Sequence, residues 1–185
     1  MTNHWNYFLA LEADFGVLSR YVEISQQNYP TYSIEIAKLL MAATQECDVL
    51  LKQLSGLTSG NEQDYRTALL LSMPNITKIG IKHIASGIEV RPYSSWSSSP
   101  ATTPTWWTAN NKVKHERHNK FGQANIENLL GAFFGLYVAN LIFHKDDLDK
   151  LVIPKYFEPI IDNNVISIKS NVFPPSYRSY TFKLS

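Results

Sequence analysis

One apolar stretch, residues 123–145, constrains the fold more than any other part of the chain. On a helix that turns by about 100° per residue, its apolar side chains fall on nearly every side, so the helix must be buried. These side chains are Leu129, Leu130, Phe133, Phe134, Leu136, Tyr137, Val138, Leu141, Ile142 and Phe143. The stretch predicts the central helix of a bundle. Gly131 and Gly135 lie one turn apart, and we expect another element to cross them closely because glycine has no side chain.

Composition places the chain among ordinary globular proteins. With 185 residues, of which 44% are hydrophobic and 12% aromatic, the chain is long enough for one sizeable core. The net charge of +1 gives no global field that would attract nucleic acid or an anionic membrane, so any basic site must be local. The most apolar run is shorter than the ~20 residues that span a bilayer. The start of the chain lacks the basic n-region of a signal peptide, and Cys47 has no second cysteine with which to pair. We therefore expect a cytoplasmic protein with no membrane contact.

The remaining patterns predict mostly helices. Residues 5–24, 33–54 and 61–73 have apolar positions at three- and four-residue steps. Thr31 or Ser33 suits the start of the second helix, Asn61 suits the start of the third, and Gly56 suits a helix end. Residues 78–93 alternate on both sides of Ser86-Gly87, which predicts a β-hairpin with a two-residue turn. His83 shares a strand face with isoleucines, which favours a structural histidine over a ligand. A short strand is expected at residues 165–169. The predicted fold is mainly α: a helical bundle over residues 1–150 with a hairpin insertion, and a strand-bearing C-terminal extension, residues 151–185, packed on the same domain.

Most groups that could perform chemistry lie in residues 105–121, which read TWWTANNKVKHERHNKF. Thr103 and Pro104 suit the start of a helix and Gly122 suits its end, so one continuous helix is expected. On that helix one arc collects a basic, imidazole-bearing face, and another side carries apolar groups. The first consists of Trp107, Asn111, Lys114, His115 and His118, and the second of Trp106, Val113, Arg117 and Phe121.

Several meanings are open for the basic face. Metal-independent cleavage of RNA needs a base, an acid and cations that stabilise the phosphorane, and His115, His118, Arg117 and Lys114 provide such a set. An ion-paired or solvated face that only anchors a helix is the simpler alternative. Zinc held by His115, His118 and a distant acid is a third, although the spacing does not match a zincin motif. Glu46 and Asp48 would allow a paired-carboxylate site, but adjacent acids on a long helix are usually solvated.

The order Trp106-Trp107, then Asn111, then Lys114-His115-x-Arg117 before a long apolar helix resembles a set of small bacterial and phage-borne proteins, and a variant of the HEPN superfamily. HEPN domains are helical bundles, often dimeric, and many are metal-independent ribonucleases of toxin–antitoxin and phage-defence systems. In their usual signature the arginine comes first and the histidine several residues later, whereas here His115 precedes Arg117.

The resemblance implies His115 and Arg117 as the catalytic pair, without a cofactor or a metal. Asn111, Lys114, His118 and Trp107 would then bind the substrate. It implies an RNA substrate, a homodimer in which the central helices approach, and a cognate antitoxin or other protein partner. The alternative function is a non-catalytic helical protein that binds an unidentified partner. On an ideal helix Arg117 points about 160° away from His115, so convergence needs a distorted helix, the reach of the arginine side chain or a second subunit.

Overall fold

A computed structural model describes residues 3–168 and 180–185, and it confirms a mainly α fold. The helices of the described residues are α1 (Asn3–Leu18), α2 (Ile34–Ser55), α3 (Glu62–Ser72), α4 (Thr105–His115), α5 (Arg117–Lys120) and α6 (Ile126–Phe143). The strands are β1 (Ile81–His83), β2 (Glu89–Val90), β3 (Phe157–Pro159), β4 (Ile166–Ile168) and β5 (Tyr180–Phe182).

Helix α6 is the core of the bundle, as the apolar pattern predicts. Asn125 caps the start of α6, because its side chain accepts a hydrogen bond from the backbone N–H of Asn128 at 3.0 Å. Its length and composition would also suit a membrane span, but 89% of its 18 residues are buried inside the protein. Burial of this kind is typical of the core helix of a soluble protein.

Helix α2 is the main partner of α6, and α1 and α4 also pack against α6. The predicted ends of α2 are confirmed. The Ser33 hydroxyl accepts from the backbone N–H of Ile36 at 3.1 Å, and Gly56 ends the helix in the left-handed conformation at φ 71°. Helix α3 begins with a capping box between Asn61 and Asp64.

Helix α1 is shorter than predicted. It ends at Leu18 rather than Ile24, and a turn follows in which the N–H of Tyr21 donates to the carbonyl of Leu18. The Ser19 hydroxyl donates to the carbonyl of Gly16 at 2.9 Å. Ile24 is still buried, because the turn brings it back to the core. Apolar spacing alone does not distinguish this route from two more helical turns.

The predicted hairpin is confirmed, with a longer turn. Strands β1 and β2 pair antiparallel, Ile81 opposite Val90, and β3 pairs antiparallel with the other edge of β1. The turn spans residues 84–87 rather than Ser86-Gly87 alone, since the N–H of His83 donates to Ile88 and the N–H of Gly87 donates to His83. Gly87 supplies the positive φ of 71° that this turn requires.

His83 is a structural histidine, as its strand position predicts. It is buried, its Nδ1 lies 2.8 Å from the Ser86 hydroxyl, and its ring packs against Phe15 and Phe157. Burial lowers the pKa of His83, and the charge of Glu23 opposes this effect. Ring packing and the two contacts of Nδ1 with the hydroxyl and backbone N–H of Ser86 account for its environment.

The C-terminal region adds a second small sheet. Strand β4 pairs antiparallel with β5, Ile166 opposite Phe182, which confirms a strand in the predicted position. Lys169, at the end of that prediction, lies outside the described residues. Phe157, Val165 and Tyr180 belong to the same hydrophobic core as the helices.

Candidate functional site

The segment predicted as one helix is broken at Glu116. The backbone of Glu116 has φ −128° and ψ 32°, outside the helical region, so α4 ends at His115 and α5 begins at Arg117. A 3₁₀ turn, Phe121–Gln123, follows α5. The break reorients Arg117 and His118 relative to α4, and the single helical projection does not hold beyond His115.

Contacts with the segment before α2 hold the chain in this broken path. Tyr32 forms a β-bridge with Asn125, and the N–H of Ile126 donates to the carbonyl of Thr31 at 3.1 Å. The ring of Phe121 meets that of Tyr32 edge-on at 5.7 Å. These contacts join residues far apart in the chain, which explains why the local sequence of residues 105–121 does not reveal the break.

Thr103 does not cap α4. The helix begins at Thr105 after Pro104, and the Thr103 hydroxyl instead donates to Oε2 of Glu62 at 2.7 Å. Glu62 is buried, and its Oε1 also accepts from the indole N–H of Trp96 at 2.6 Å. A guanidinium nitrogen of Arg66 lies 3.5 Å from the same oxygen. A single carboxylate thus ties α3 to the segment before α4. Trp96 is buried and anchors the Ser- and Thr-rich segment of residues 94–103.

The first candidate surface is a polar cleft of about 480 Å³ between α2, α4 and the start of α3. Its lining includes amides, carboxylates and a lysine: Met41, Thr44, Gln45, Asp48, Gly60, Asn61, Glu62, Trp107, Asn110, Asn111 and Lys114. Both oxygens of Glu62 have protein partners. The charged groups of the cleft that face a ligand are therefore Asp48 and Lys114.

The second candidate surface is an apolar groove of about 750 Å³, formed by α2 with α5 and Phe121. It is lined by Ile34, Ala37, Lys38, Met41, Arg117, His118 and Phe121. Arg117 reaches across it, with Nη2 3.4 Å from Sδ of Met41. Ile34 is 73% exposed at one end of the groove, which makes this an uncovered hydrophobic surface. Because Met41 lines both the groove and the polar cleft, the two surfaces adjoin.

The structure divides the predicted site residues between these surfaces. Trp107, Asn111 and Lys114 line the polar cleft, and Arg117 and His118 line the apolar groove. His115 is exposed at the end of α4 and lines neither of them. The expected single face of five residues is therefore not formed. Trp107 is also nearly buried, at 7% exposure, so it is a wall of the cleft rather than an exposed contact.

The basic segment, residues 112–120, carries Lys112, Lys114, Arg117 and Lys120 with Glu116 as its one acid. None of these four cations lies within ion-pair distance of a carboxylate anywhere in residues 3–168 or 180–185. The simpler alternative was an ion-paired or solvated face. The ion pairs are not formed among the described residues, and the exposure of Lys114, Arg117 and Lys120 fits a solvated face. Cations near the end of α4 do interact favourably with its dipole, which explains part of their placement.

The neighbouring acids Glu46 and Asp48 of α2 have separate roles. Glu46 pairs with Nδ1 of His4 on α1, while Asp48 lines the polar cleft. They do not form a paired-carboxylate site. Asp48 also raises the pKa of Tyr65, after the larger effect of burial, which shows that the carboxylate lies beside that phenol.

The cleft and the groove contain residues that sequence reasoning did not select for a site, notably Met41, Gln45 and Asn61. The spacing of Met41, Gln45 and Asp48 places them on one face of α2, which is a signal that could have been read. No group of three or more His, Cys, Asp or Glu side chains suited to a metal ion occurs within the described part of the chain. Comparisons with protein-family models, with curated proteins and with solved structures found no match.

Proposed function

We propose that this protein is a helical RNA-binding protein whose basic segment contacts the phosphate backbone of a single strand. The observation that carries this proposal is that Lys112, Lys114, Arg117 and Lys120 have no ion-pair partner among the described residues. Unpaired cations concentrated in nine residues of a nearly neutral protein form a local site for polyanions. The adjoining polar cleft gives a single strand, whose bases are accessible, more to contact than a duplex backbone.

The strength of such a contact is set by the number of phosphates that it neutralises. For single strands the logarithm of the binding constant falls with the logarithm of salt concentration, with a slope of about −0.7 per phosphate. Four cations therefore give a slope of about −3 at most. A larger slope would require cations outside the basic segment.

Fluorescence anisotropy with a labelled single-stranded RNA tests this proposal. A triple variant combines Lys112→Gln, Lys114→Gln and Lys120→Gln. It should bind RNA at least ~10-fold more weakly than the wild type, with the magnitude of the salt slope reduced by about 2. Lys145→Gln with Lys150→Gln is the matched control, because these lysines follow the far end of α6 and pair with Asp146 and Asp147. Equal affinity of the wild type and the triple variant would contradict the proposal.

Metal-independent RNA cleavage of the HEPN type is the second candidate. It is supported by the exposure of two imidazoles, those of His115 and His118, and of the guanidinium of Arg117. In this role His115 would accept the 2′-hydroxyl proton and Arg117 would stabilise the phosphorane. Because Arg117 lines the groove and His115 does not, a shared catalytic site would take one of the two groups from a second subunit.

Cleavage is tested separately from binding. The enzyme would cut single-stranded RNA in the presence of a chelator and leave 2′,3′-cyclic phosphate ends, and His115→Ala or Arg117→Ala would abolish cutting without unfolding the protein. Expression of the wild type would then be toxic to a bacterial host, and His115→Ala would relieve the toxicity. RNA binding without cleavage would reject the enzyme and keep the binding protein.

The proposal includes a homodimer, a cytoplasmic location and, for the toxin form, a cognate antitoxin or other protein partner. The dimer is supported by the uncovered apolar groove, where a second copy would bury Ile34 beside Arg117 and His118. The location is supported by the single cysteine, Cys47, which is a buried free thiol.

A further inference from the structure

The polar cleft contains hydrogen-bonding groups that the fold engages only in part. Asp48 has no basic side chain within ion-pair distance among the described residues, and the Tyr65 hydroxyl beside it donates to the carbonyl of Gly60 at 2.8 Å. Both oxygens of Glu62, deeper in the cleft, have protein partners. The amides of Asn110 and Asn111 make one long contact with each other, 3.4 Å from Nδ2 to Oδ1. The cleft therefore offers a carboxylate that only accepts hydrogen bonds, next to amides that can donate them.

Trp107 adds a further donor. The indole N–H groups of Trp5, Trp96 and Trp106 donate to Val152, Glu62 and Pro92 within the protein. The indole N–H of Trp107 has no acceptor in the described part of the chain, and its nitrogen is open to solvent. A nearly buried tryptophan that keeps an open N–H at a cleft wall is suited to a ligand.

Lys114 connects the cleft to the basic segment, since it belongs to both. A phosphate held by Lys114 would therefore bring its own nucleotide to the mouth of the cleft. The cleft volume of about 480 Å³ falls within the range of small-molecule sites, ~300–1,000 Å³. Single-stranded RNA is recognised by bases that leave the stack and expose their hydrogen-bonding edges.

We infer that the polar cleft binds one unstacked base of the RNA strand and prefers guanine, an inference that rests on the proposed RNA-binding function. Guanine presents two adjacent donors, N1–H and the N2 amino group, which match the two oxygens of the Asp48 carboxylate. Its O6 accepts from an amide such as that of Asn110 or Asn111. Uracil presents one N–H between two carbonyls, so its oxygens would face the carboxylate. Adenine and cytosine present one amino group beside an acceptor, so we expect their affinities to lie between those of guanine and uracil.

The test uses four labelled decauridylate-based oligonucleotides that differ only in the central base, with anisotropy as the readout. The wild type should bind the guanine-containing strand at least ~5-fold more tightly than the all-uridine strand, since a good bidentate contact contributes ~1–3 kcal/mol of discrimination. Asp48→Asn keeps the shape but replaces one oxygen by a donor. It should remove the guanine preference, measured as the ratio of the affinities for the guanine-containing and the all-uridine strands.

Glu46→Gln is the matched control, because Glu46 lies on the same helix and pairs with His4 away from the cleft. It should retain the guanine preference. Equal binding of all four strands by the wild type, or an intact preference in a folded Asp48→Asn protein, would overturn the inference and leave the RNA-binding proposal standing. If no strand binds, both proposals fall.

Discussion

The indole of Trp106 lies so close to Gly131 that a Cβ atom at residue 131 would fall 2.7 Å from Cδ1. Gly135, one turn later, meets the other end of the same ring at 2.7 Å. We expect Gly131→Ala to destabilise the protein by ~1–3 kcal/mol, since the indole and the α6 backbone must separate. Thermal melting should show a decrease of about 3–10 °C. Gly122→Ala is the control, because its nearest neighbour would be 4.0 Å away, and equal melting temperatures would contradict this account.

Glu62 is the second point at which the fold is held. Glu62→Ala removes the acceptor for Trp96 and Thr103 and leaves Arg66 buried without its partner. Breaking a buried charge pair costs about 3–5 kcal/mol, so urea unfolding should show a loss of that size. Gln63→Ala, at the exposed neighbouring position, should change stability by less than ~0.5 kcal/mol. A similarly small loss for Glu62→Ala would show that the carboxylate is dispensable.

His83 makes stability depend on pH. Burial lowers the pKa of His83 in the folded state, so below about pH 6.5 the unfolded chain binds the proton first. Stability therefore falls as pH decreases through the unfolded pKa, with a slope of at most ~1.4 kcal/mol per pH unit, and levels off below the folded pKa. His83→Gln should flatten the dependence of the free energy of unfolding between pH 7 and 5. His118→Gln, at an exposed position, should leave this dependence unchanged. An equal flattening in that variant would show that the effect does not come from the burial of His83.

Cys47 should be inert in the native protein. The thiol is fully buried, its Sγ lies 3.0 Å from the Tyr93 hydroxyl, and burial raises its pKa to about 12. Since the thiolate is the reactive form, a thiol reagent at pH 8 should label Cys47 only at the rate of unfolding. Labelling should be complete in denaturant. Rapid labelling of the native protein would mean that the Tyr93 region opens locally.

The apolar groove gives a test of the proposed dimer. Sedimentation at tens of micromolar protein should show a dimer of the wild type. At this concentration a dimer with a micromolar dissociation constant is mostly associated. Ile34→Glu should yield a monomer, and an acid in the first turn of α2 is favourable for the helix itself. Leu71→Glu is the control, because Leu71 is 84% exposed on α3 and does not line the groove. A monomeric wild type would remove the dimer from the proposal.

Local patterns revealed much of the fold in advance. Three features could be predicted because each depends on residues only a few positions apart in the sequence. They are the apolar side chains on all sides of α6, the cap at Ser33 and the glycine that ends α2. The alternation of residues 78–93 gave the hairpin for the same reason. The error at the end of α1 arose because a turn can also return Ile24 to the core.

The candidate site depended on contacts that no local pattern contains. The break at Glu116 separates His115 from Arg117 and His118, and it is held by Tyr32, whose partners lie some ninety positions later in the chain. Asp48 becomes part of the polar cleft only because α2 packs opposite α4. A pattern of charges shows which groups are available, whereas the side of the molecule on which each one lies is set by packing between distant segments. The residue types of the basic segment were therefore readable from the sequence, and their division between a polar cleft and an apolar groove was decided by the tertiary structure.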